Sequence, residues 1–211
     1  MSMEEMLKTG TTTLGLVCKD GIVLAADKRA TAGNMIVDKR ADKVHLLSEN
    51  FAVTIAGTVS DAQLIIKLIR AELKLKEMRT NKIPNAKEAA NMLGGLLYSS
   101  LRQMSMFPGV AHFLLGARDH LGVHLYDLFP DGSVTRIKDF VSSGSGSVFA
   151  YGVLETQYRS DMSAAEGVKL AVKAINTALQ RDSCSGNGID VIVVTPQEIE
   201  RVLQKEVEVA L

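Results

Sequence analysis

The sequence predicts an α+β protein folded as a four-layer α/β/β/α sandwich of two antiparallel sheets. Short apolar stretches joined by turns come in consecutive pairs, which favours hairpins over alternating strand–helix–strand units. Helical segments also come in pairs. A pair of helices follows each run of strands, so that each pair can cover one sheet. The 211 residues contain no linker-like stretch and no internal repeat, and we therefore expect a single domain.

The first half of the chain predicts two hairpins followed by two helices. Lys19-Asp20-Gly21 and Ser48-Glu49-Asn50 are the expected turns, since their residue types tolerate the backbone conformations of tight turns. A capping box at Ser60-Asp61-Ala62-Gln63 starts the first helix, whose apolar residues recur on one side. The predicted strands cover residues 11–17, 22–26, 42–47 and 51–56, and the second helix covers residues 86–104.

The second half of the chain also predicts strands followed by two helices, and it ends with one more strand and helix. Ser163-Ala164-Ala165-Glu166 is a capping box that opens a long amphipathic helix ending near Gln180. Thr195-Pro196-Gln197-Glu198 predicts one more helix directly after the last strand, because proline suits the first helical position. The predicted strands cover residues 110–117, 123–128, 134–137 and 189–194, and a further helix covers residues 148–158.

Composition argues against several classes of function. The 24 basic residues balance the 24 acidic ones without forming a basic block, so we expect no nucleic-acid partner. No apolar run is long enough to span a membrane and the charged head does not resemble a secretory signal, so we expect no membrane partner. Cys18 and Cys184 form neither a metal motif nor a disulfide framework, and we expect buried, reduced thiols. His120 and His124 flank a predicted turn, so their spacing does not indicate a metal site.

Thr11 follows Gly10 at the start of the first predicted strand. Cleavage of the Gly10–Thr11 peptide bond would leave Thr11 with both a hydroxyl group and a free α-amine. A nucleophile and a base on one residue are a known arrangement for acyl transfer. A run of threonines is equally typical of an ordinary strand, because β-branched residues pack well on a pleated surface.

Six motifs in order resemble those of proteasome β subunits, most closely the catalytic archaeal type, within the N-terminal nucleophile hydrolases. They are spread from residue 10 to residue 190, so the resemblance covers nearly the whole chain. The motifs are Gly10-Thr11-Thr12-Thr13-Leu14-Gly15, Ala26-Asp27-Lys28-Arg29-Ala30-Thr31, Lys43, Thr54-Ile55-Ala56-Gly57, Ser143-Gly144-Ser145-Gly146-Ser147 with Tyr151-Gly152-Val153-Leu154-Glu155, and Arg181-Asp182-Ser183-Cys184-Ser185-Gly186.

The resemblance implies a threonine endopeptidase that releases its own nucleophile. Residues 1–10 are then a propeptide, and residues 11–211 are the single catalytic domain. Thr11 is implied as the nucleophile and as the site of self-cleavage after Gly10. Lys43 is implied beside Thr11, and Asp27 is implied to keep Lys43 charged and oriented. While the head is attached, the amine is part of an amide, and we expect an inactive precursor.

The same resemblance assigns the remaining site residues. The backbone N–H of Gly57 is implied as the oxyanion donor, and Ser145, Asp182 and Ser185 are implied to bracket the amine of Thr11. The implied pocket has an alanine at its entrance and apolar walls, which indicates a chymotrypsin-like preference for large hydrophobic side chains. Its substrate-binding residues are Ala30, Thr31, Ala41, Ile55, Gly57 and Val59, of which Thr31 and Gly57 are expected to pair with an extended substrate.

The resemblance also implies an assembly. We expect seven-membered β rings, two of them stacked, capped by rings of proteasome α subunits and served by a separate ATP-dependent unfoldase. The expected substrates are unfolded proteins, the expected location is the cytoplasm, and no metal or organic cofactor is expected.

Several alternatives stay open at this point. The chain could be a non-catalytic subunit of the β ring, or the β-like peptidase of a bacterial two-component ATP-dependent protease. Asp27 and Lys43 could form an ordinary exposed pair contributing less than about 1 kcal/mol. The segment Ser143 to Ser147 could bind an anion ahead of a helix. The family commonly has an extra turn and short strand after Val194, and the predicted last helix departs from that pattern.

Overall fold

Two five-stranded antiparallel sheets face each other in the computed structural model, which describes residues 10–103 and 110–206. Sheet one has the strand order β10-β1-β2-β11-β12, sheet two has the order β5-β6-β7-β8-β9, and β3 and β4 form a separate hairpin. Within the described residues the strands are β1 Thr13–Cys18, β2 Gly21–Asp27, β3 Ala30–Ala32, β4 Met35–Asp38, β5 Val44–Ser48, β6 Phe51–Gly57, β7 Ala111–Asp119, β8 Gly122–Leu128, β9 Val134–Ile137, β10 Phe140–Ser143, β11 Gly188–Val194 and β12 Ile199–Glu206.

Four helices in the same part of the chain cover the outer faces of the sheets. They are α1 Val59–Thr80, α2 Ala86–Leu101, α3 Ser147–Gln157 and α4 Ala164–Arg181. One apolar cluster joins α1 and α2 to sheet two, and a second joins α3 and α4 to sheet one. A third fills the space between the sheets. The predicted four-layer α/β/β/α sandwich is therefore confirmed.

The core between the sheets follows from strand periodicity. In β2, Ile22 and Leu24 point toward sheet two, while Val23 and Ala25 point toward α4. Both faces of β2 are thus buried, and all seven of its residues are classed as buried. Strands buried on both faces are continuously apolar, and residues 22–26 of the predicted second strand have this character.

The predicted last helix is wrong. Thr195 instead closes a turn with Glu198, in which the Thr195 N–H donates to the Glu198 carbonyl at 2.8 Å. The chain then returns as β12, which pairs with β11 from Gly188 to Val194. The strand forms because β11 would otherwise present a row of unpaired backbone groups at the edge of the sheet. The turn and strand that the family commonly has after Val194 are therefore present here.

Other differences from the sequence predictions are smaller. Helix α1 begins at Val59 after Thr58, which makes no side-chain cap, so the predicted capping box at Ser60 is wrong. The capping box at Ser163 is confirmed. Strand β10 and the hairpin β3–β4 were not predicted. Helix α2 ends at Leu101, and Met104, its predicted last residue, lies outside the described residues.

None of the helices in the described part of the chain combines the length and apolar character needed to cross a bilayer. Of the predicted propeptide 1–10, only Gly10 lies within the described residues.

Candidate active site

A cavity of about 490 Å³ opens beside Thr11 and receives residues from both sheets. Gly10 and Thr11 reach it from the start of sheet one, whereas Lys43 and Gly57 reach it from sheet two. All of the predicted substrate-binding residues line it, namely Ala30, Thr31, Ala41, Ile55, Gly57 and Val59. The fold thus brings together positions that are up to 53 residues apart in this lining, from Gly10 to Gln63.

Asp27 and Lys43 form a buried ion pair next to this cavity. Asp27 ends β2, and Lys43 lies directly before β5, so the pair joins the two sheets. Nζ of Lys43 lies 2.7 Å from Oδ1 of Asp27, and the side chains are 6% and 0% exposed respectively. The alternative of an exposed surface pair is therefore excluded.

Three backbone amides hold the Asp27 carboxylate in addition to Lys43. Oδ1 accepts a hydrogen bond from the N–H of Thr12 at 2.9 Å. Oδ2 accepts from the N–H groups of Arg29 at 3.0 Å and Gly186 at 2.9 Å. Both carboxylate oxygens therefore have two donors each, which fixes the orientation of the side chain that contacts Lys43.

Burial lowers the pKa of Lys43 below its ordinary value. The charge of Asp27 and the hydrogen bond between the two side chains act in the opposite direction and favour the ammonium form. Lys43 is thus a desolvated cation whose charge depends on Asp27.

The Gly10–Thr11 peptide bond is intact, and its carbonyl group receives two donors. Oγ1 of Thr11 donates to the Gly10 carbonyl oxygen at 2.6 Å, and Nζ of Lys43 donates to the same oxygen at 3.4 Å. The Gly10 N–H donates to Oγ1 of Thr31 at 3.1 Å. A candidate nucleophile, a cation and the bond predicted to be cut therefore lie at one point.

Only glycine fits at position 10. A Cβ atom on Gly10 would lie 1.7 Å from Cβ of Cys184, which is too close for any rotamer to relieve. Cys18 and Cys184 are both free, but Cys184 is half-buried, so the prediction of two buried thiols holds for Cys18 alone.

Ser145, Asp182 and Ser185 form a hydrogen-bonded group on the other side of Thr11. The Thr11 N–H donates to Oγ of Ser145 at 3.3 Å. Ser145 and Ser185 each donate to Oδ2 of Asp182 at 2.6 Å. Ser185 is linked to Thr12 rather than to the Thr11 nitrogen, since its Oγ lies 2.7 Å from Oγ1 of Thr12. Thr12 therefore contacts the site, although no sequence pattern indicated a role for it.

Gly57 has a φ of +110°, and a Cβ there would lie 2.2 Å from the carbonyl oxygen of Val110. Glycine is therefore required at the end of β6, where the backbone turns along the cavity.

Arg29 is a second residue that the sequence analysis quoted without a role. Its Nε donates to Oδ1 of Asn187 at 2.7 Å, and its guanidinium also donates to the carbonyl of Ser183 at 2.8 Å. The guanidinium also packs on Gly186, where a Cβ would lie 2.3 Å from its central carbon. Arg29 thus fixes the loop that carries Asp182 and Ser185. Its partners are more than 150 residues away, so no local pattern could indicate them.

Within the described residues, no group of three or more His, Cys, Asp and Glu side chains is arranged to hold a metal ion. His124 instead forms a hydrogen bond through Nε2 to Oδ1 of Asp119 at 3.0 Å.

Comparisons with known proteins show to which family the chain is similar. Residues 7–194 match the family described as "Proteasome subunit". The chain is 44% identical to the proteasome subunit beta of Ferroglobus placidus over 93% of this chain and 95% of that protein. It is 43% identical to the proteasome subunit beta of Archaeoglobus fulgidus over 97% of this chain and 99% of that protein. The corresponding protein of Methanocaldococcus vulcanius is 44% identical over 94% of this chain and 87% of its own length.

Proposed function

This chain belongs to the proteasome subunit family as a β subunit of the archaeal type, and from that premise we propose that it is a threonine endopeptidase with Thr11 as its nucleophile. The observation that carries the proposal is the convergence of Thr11 Oγ1 and the Lys43 ammonium on the carbonyl of Gly10. A ring subunit that serves only as a scaffold has no need of a buried Asp27–Lys43 pair against that bond.

The first reaction is self-cleavage. Oγ of Thr11 attacks the Gly10 carbonyl carbon, the carbon–nitrogen bond breaks, and the propeptide becomes an ester on the Thr11 side chain. The nitrogen takes up the proton that the hydroxyl group loses and leaves as the free α-amine of Thr11. Water then hydrolyses the ester, which releases residues 1–10 with a carboxylate on Gly10 and restores the hydroxyl. Lys43 supports this step because its cation lies 3.4 Å from the carbonyl oxygen and stabilises developing negative charge.

The mature reaction uses the amine that self-cleavage has released. An α-amine has a pKa of about 7.7–8.0 in model peptides, so part of it is neutral near pH 7 and can accept the Thr11 hydroxyl proton. Lys43 favours the neutral amine by charge repulsion, and Ser145 orients the amine through the hydrogen bond that it already accepts from the Thr11 nitrogen. Oγ of Thr11 attacks the carbonyl carbon of the substrate, the carbon–nitrogen bond breaks, and the C-terminal part of the substrate leaves as an amine that takes up the proton from the Thr11 α-amine. Water then hydrolyses the acyl-enzyme, which releases the N-terminal part of the substrate as a carboxylate and restores the hydroxyl.

Gly57 provides the oxyanion donor in this proposal. Its positive φ turns the backbone along the cavity, and one such donor contributes about 2.7–4 kcal/mol to lowering a barrier of this kind.

The cavity supports a preference for large hydrophobic side chains before the cut bond. Ala30, Ala41, Ile55 and Val59 give it apolar walls, whereas Asp38, Arg40 and Asp42 lie among the polar part of its lining. Thr31 and Gly57 lie where an extended substrate could pair with the backbone as an added strand. Unfolded proteins are therefore the proposed substrates.

The proposed setting is the cytoplasmic core particle. There, seven β subunits form a ring, two such rings stack, and α-subunit rings and an ATP-dependent unfoldase complete the particle. Large apolar side chains exposed on this subunit support burial against neighbours, among them Met35, Val37, Leu64, Met78 and Val148.

The test is the intact mass of the chain before and after mixing with its α partner, with peptidase activity measured in parallel. We expect loss of the mass of residues 1–10 and appearance of activity together. Thr11→Ala should assemble without either change, and Thr11→Ser should keep the hydroxyl and part of the activity. An assembled particle that keeps the full mass would favour the scaffold alternative, and a sixfold ring would favour the bacterial two-component protease.

A further inference from the structure

A chain of three hydrogen-bonded side chains connects the two sheets close to the proposed site. Oγ of Ser143, at the end of β10, lies 2.7 Å from Nδ1 of His112 on β7. Nε2 of His112 is hydrogen-bonded to Oδ1 of Asp127 on β8. Ser143 and Asp127 are buried, and the His112 ring stacks on Phe129 with 4.6 Å between ring centres. The proposed function assigns no role to this group, which we call the His112 bridge.

The neutral imidazole with its proton on Nε2 satisfies every member of the bridge. Nε2–H then donates to the Asp127 carboxylate, which accepts only, and Nδ1 accepts the hydroxyl proton of Ser143. The same three residue types form the catalytic triad of serine hydrolases. Ser143 is only 6% exposed and does not line the cavity beside Thr11, so the bridge lacks the access that a nucleophile requires.

On sheet one, the bridge holds the loop that carries Ser145. Ser143 is followed by Gly144, whose φ is +91° and where a Cβ would lie 2.1 Å from the carbonyl oxygen of Thr11. The loop therefore rests directly on the backbone of the proposed nucleophile. Displacement of Ser143 moves Ser145 and with it the acceptor of the Thr11 nitrogen.

On sheet two, the bridge holds the strand beside Gly57. His112 and Ala111 lie on β7 opposite Ala56 and Gly57 of β6. The N–H of Thr58 donates to the carbonyl of Val110 at 2.9 Å, so the residue directly before β7 also fixes the chain just after Gly57. The proposed oxyanion donor and the proposed amine holder thus belong to different sheets that His112 joins.

We propose that His112 is a positioning residue for the Thr11 reaction, setting the spacing between the Gly57 backbone and the Ser145 loop through its two hydrogen bonds. This inference rests on the proposed function of Thr11. The Asp27–Lys43 pair ties the same two sheets through a different pair of strands, β2 and β5, so the bridge is a second tie near the nucleophile.

The test compares three variants in the assembled, processed particle. His112→Leu removes both hydrogen bonds at similar size, and His112→Gln can still donate to Asp127 and accept from Ser143. Leu114→Val is the matched control, because Leu114 lies two residues further along β7 in the core between the sheets. We expect His112→Leu to lower kcat by about 10-fold or more with KM unchanged, since small misplacements of reacting groups are costly. His112→Gln should stay within about threefold of the parent chain if its amide makes both bonds.

Hydrogen exchange of the same variants gives a readout that needs no catalysis. His112→Leu should raise exchange in the segment 143–147, whereas His112→Gln and Leu114→Val should not. The inference is overturned if His112→Leu keeps its kcat and its exchange protection, if Leu114→Val loses as much kcat, or if Gln rescues nothing. Failure of the proposed function would appear separately, as peptidase activity that persists in Thr11→Ala.

Discussion

Two buried aspartates on neighbouring strands of sheet one meet opposite arrangements of donors. Asp27 on β2 receives Lys43 and three backbone N–H groups, so that each of its oxygens has two donors. Asp190 on β11 is 1% exposed and receives Arg201 on Oδ2 at 2.6 Å, but its Oδ1 has no hydrogen-bond partner among the described residues. Burial accordingly raises the pKa of Asp190 above its ordinary value.

The difference shows how two buried carboxylates with a cationic partner each can still differ in their hydrogen bonding. Both aspartates have one cationic partner, so the ion pair alone does not distinguish them. The two aspartates differ in their backbone donors. Such N–H groups are held in place by the fold, and they stabilise an anion without bringing another desolvated charge. Asp27 therefore has donors on both oxygens and holds Lys43 in place, whereas the environment of Asp190 favours the acid.

The largest effect is expected for Asp27→Asn. Asparagine has only one acceptor oxygen. Its NH₂ group would face the two N–H groups that now donate to Oδ2, and donors facing donors cannot form hydrogen bonds. We expect kcat to fall by at least about 100-fold and the free energy of unfolding to fall by about 3–5 kcal/mol, the cost of breaking a buried pair. Peptidase assays on assembled particles and urea unfolding of the subunit measure the two effects. Equal behaviour of Asp27→Asn and Asp190→Asn would contradict the comparison.

The next largest difference is expected when the cation of each ion pair is removed. Lys43→Met leaves the Gly10 carbonyl without its cation, and we expect self-cleavage and peptidase activity to be lost, as followed by intact mass and substrate hydrolysis. Arg201→Met should leave activity within about twofold and cost about 1 kcal/mol, because the Arg201 side chain is 30% exposed and Asp190 can take up a proton. Loss of self-cleavage in Arg201→Met would show that the second pair also supports the site.

The pH dependence of activity should follow Lys43. Burial lowers the pKa of Lys43 from its ordinary 10.5, so kcat/KM should decline on the alkaline side below that pH. Asp27→Asn removes the contributions that raise this pKa, and the alkaline decline should therefore move to lower pH. Asp190→Asn serves as the control, since Asp190 is not among the groups that affect Lys43. An alkaline limb that does not respond to Asp27→Asn would exclude Lys43 as its source.

The smallest effect is expected for Asp190→Asn. A raised pKa in the folded state means that the carboxyl group contributes stability below its ordinary pKa and loses that contribution as pH rises through the raised value. Asparagine mimics the acid and does not titrate. We therefore expect the variant to melt about 2 °C above the parent chain at pH 7 and at the same temperature at about pH 3, below the ordinary pKa of 3.8, as followed by circular dichroism. A melting difference that does not change with pH would contradict the raised pKa.

Most of the fold could be predicted from local patterns. The apolar strand 189–194 and the capping box at Ser163 carry their signals within a few residues, and both are found where expected. The ending could not be predicted this way. Thr195-Pro196-Gln197-Glu198 satisfies the rules for a helix start, but the free edge of β11 recruits residues 199–206 as a strand, and that edge is a tertiary feature.

The candidate site likewise contains residues that the sequence could indicate and contacts that only the tertiary structure shows. The sequence could indicate Thr11, Asp27 and Lys43 as residue types in a recognisable order, and the structure brings them within hydrogen-bonding reach of one carbonyl or of each other. It could not indicate that Ser185 contacts Thr12, or that His112 meets Ser143 across 31 residues. Such contacts depend on which face of a strand points between the sheets and on the stacking of the two sheets.

The division of the site between two sheets makes the proposed self-cleavage dependent on folding. Thr11 and Ser145 belong to one layer, Lys43 and Gly57 to the other, and their meeting requires that both halves of the sandwich have formed and docked. A misfolded chain or a trapped folding intermediate would lack the geometry for self-cleavage and would retain residues 1–10. Under the proposed function, propeptide removal would therefore depend on completed folding, and only a folded chain would become an active peptidase.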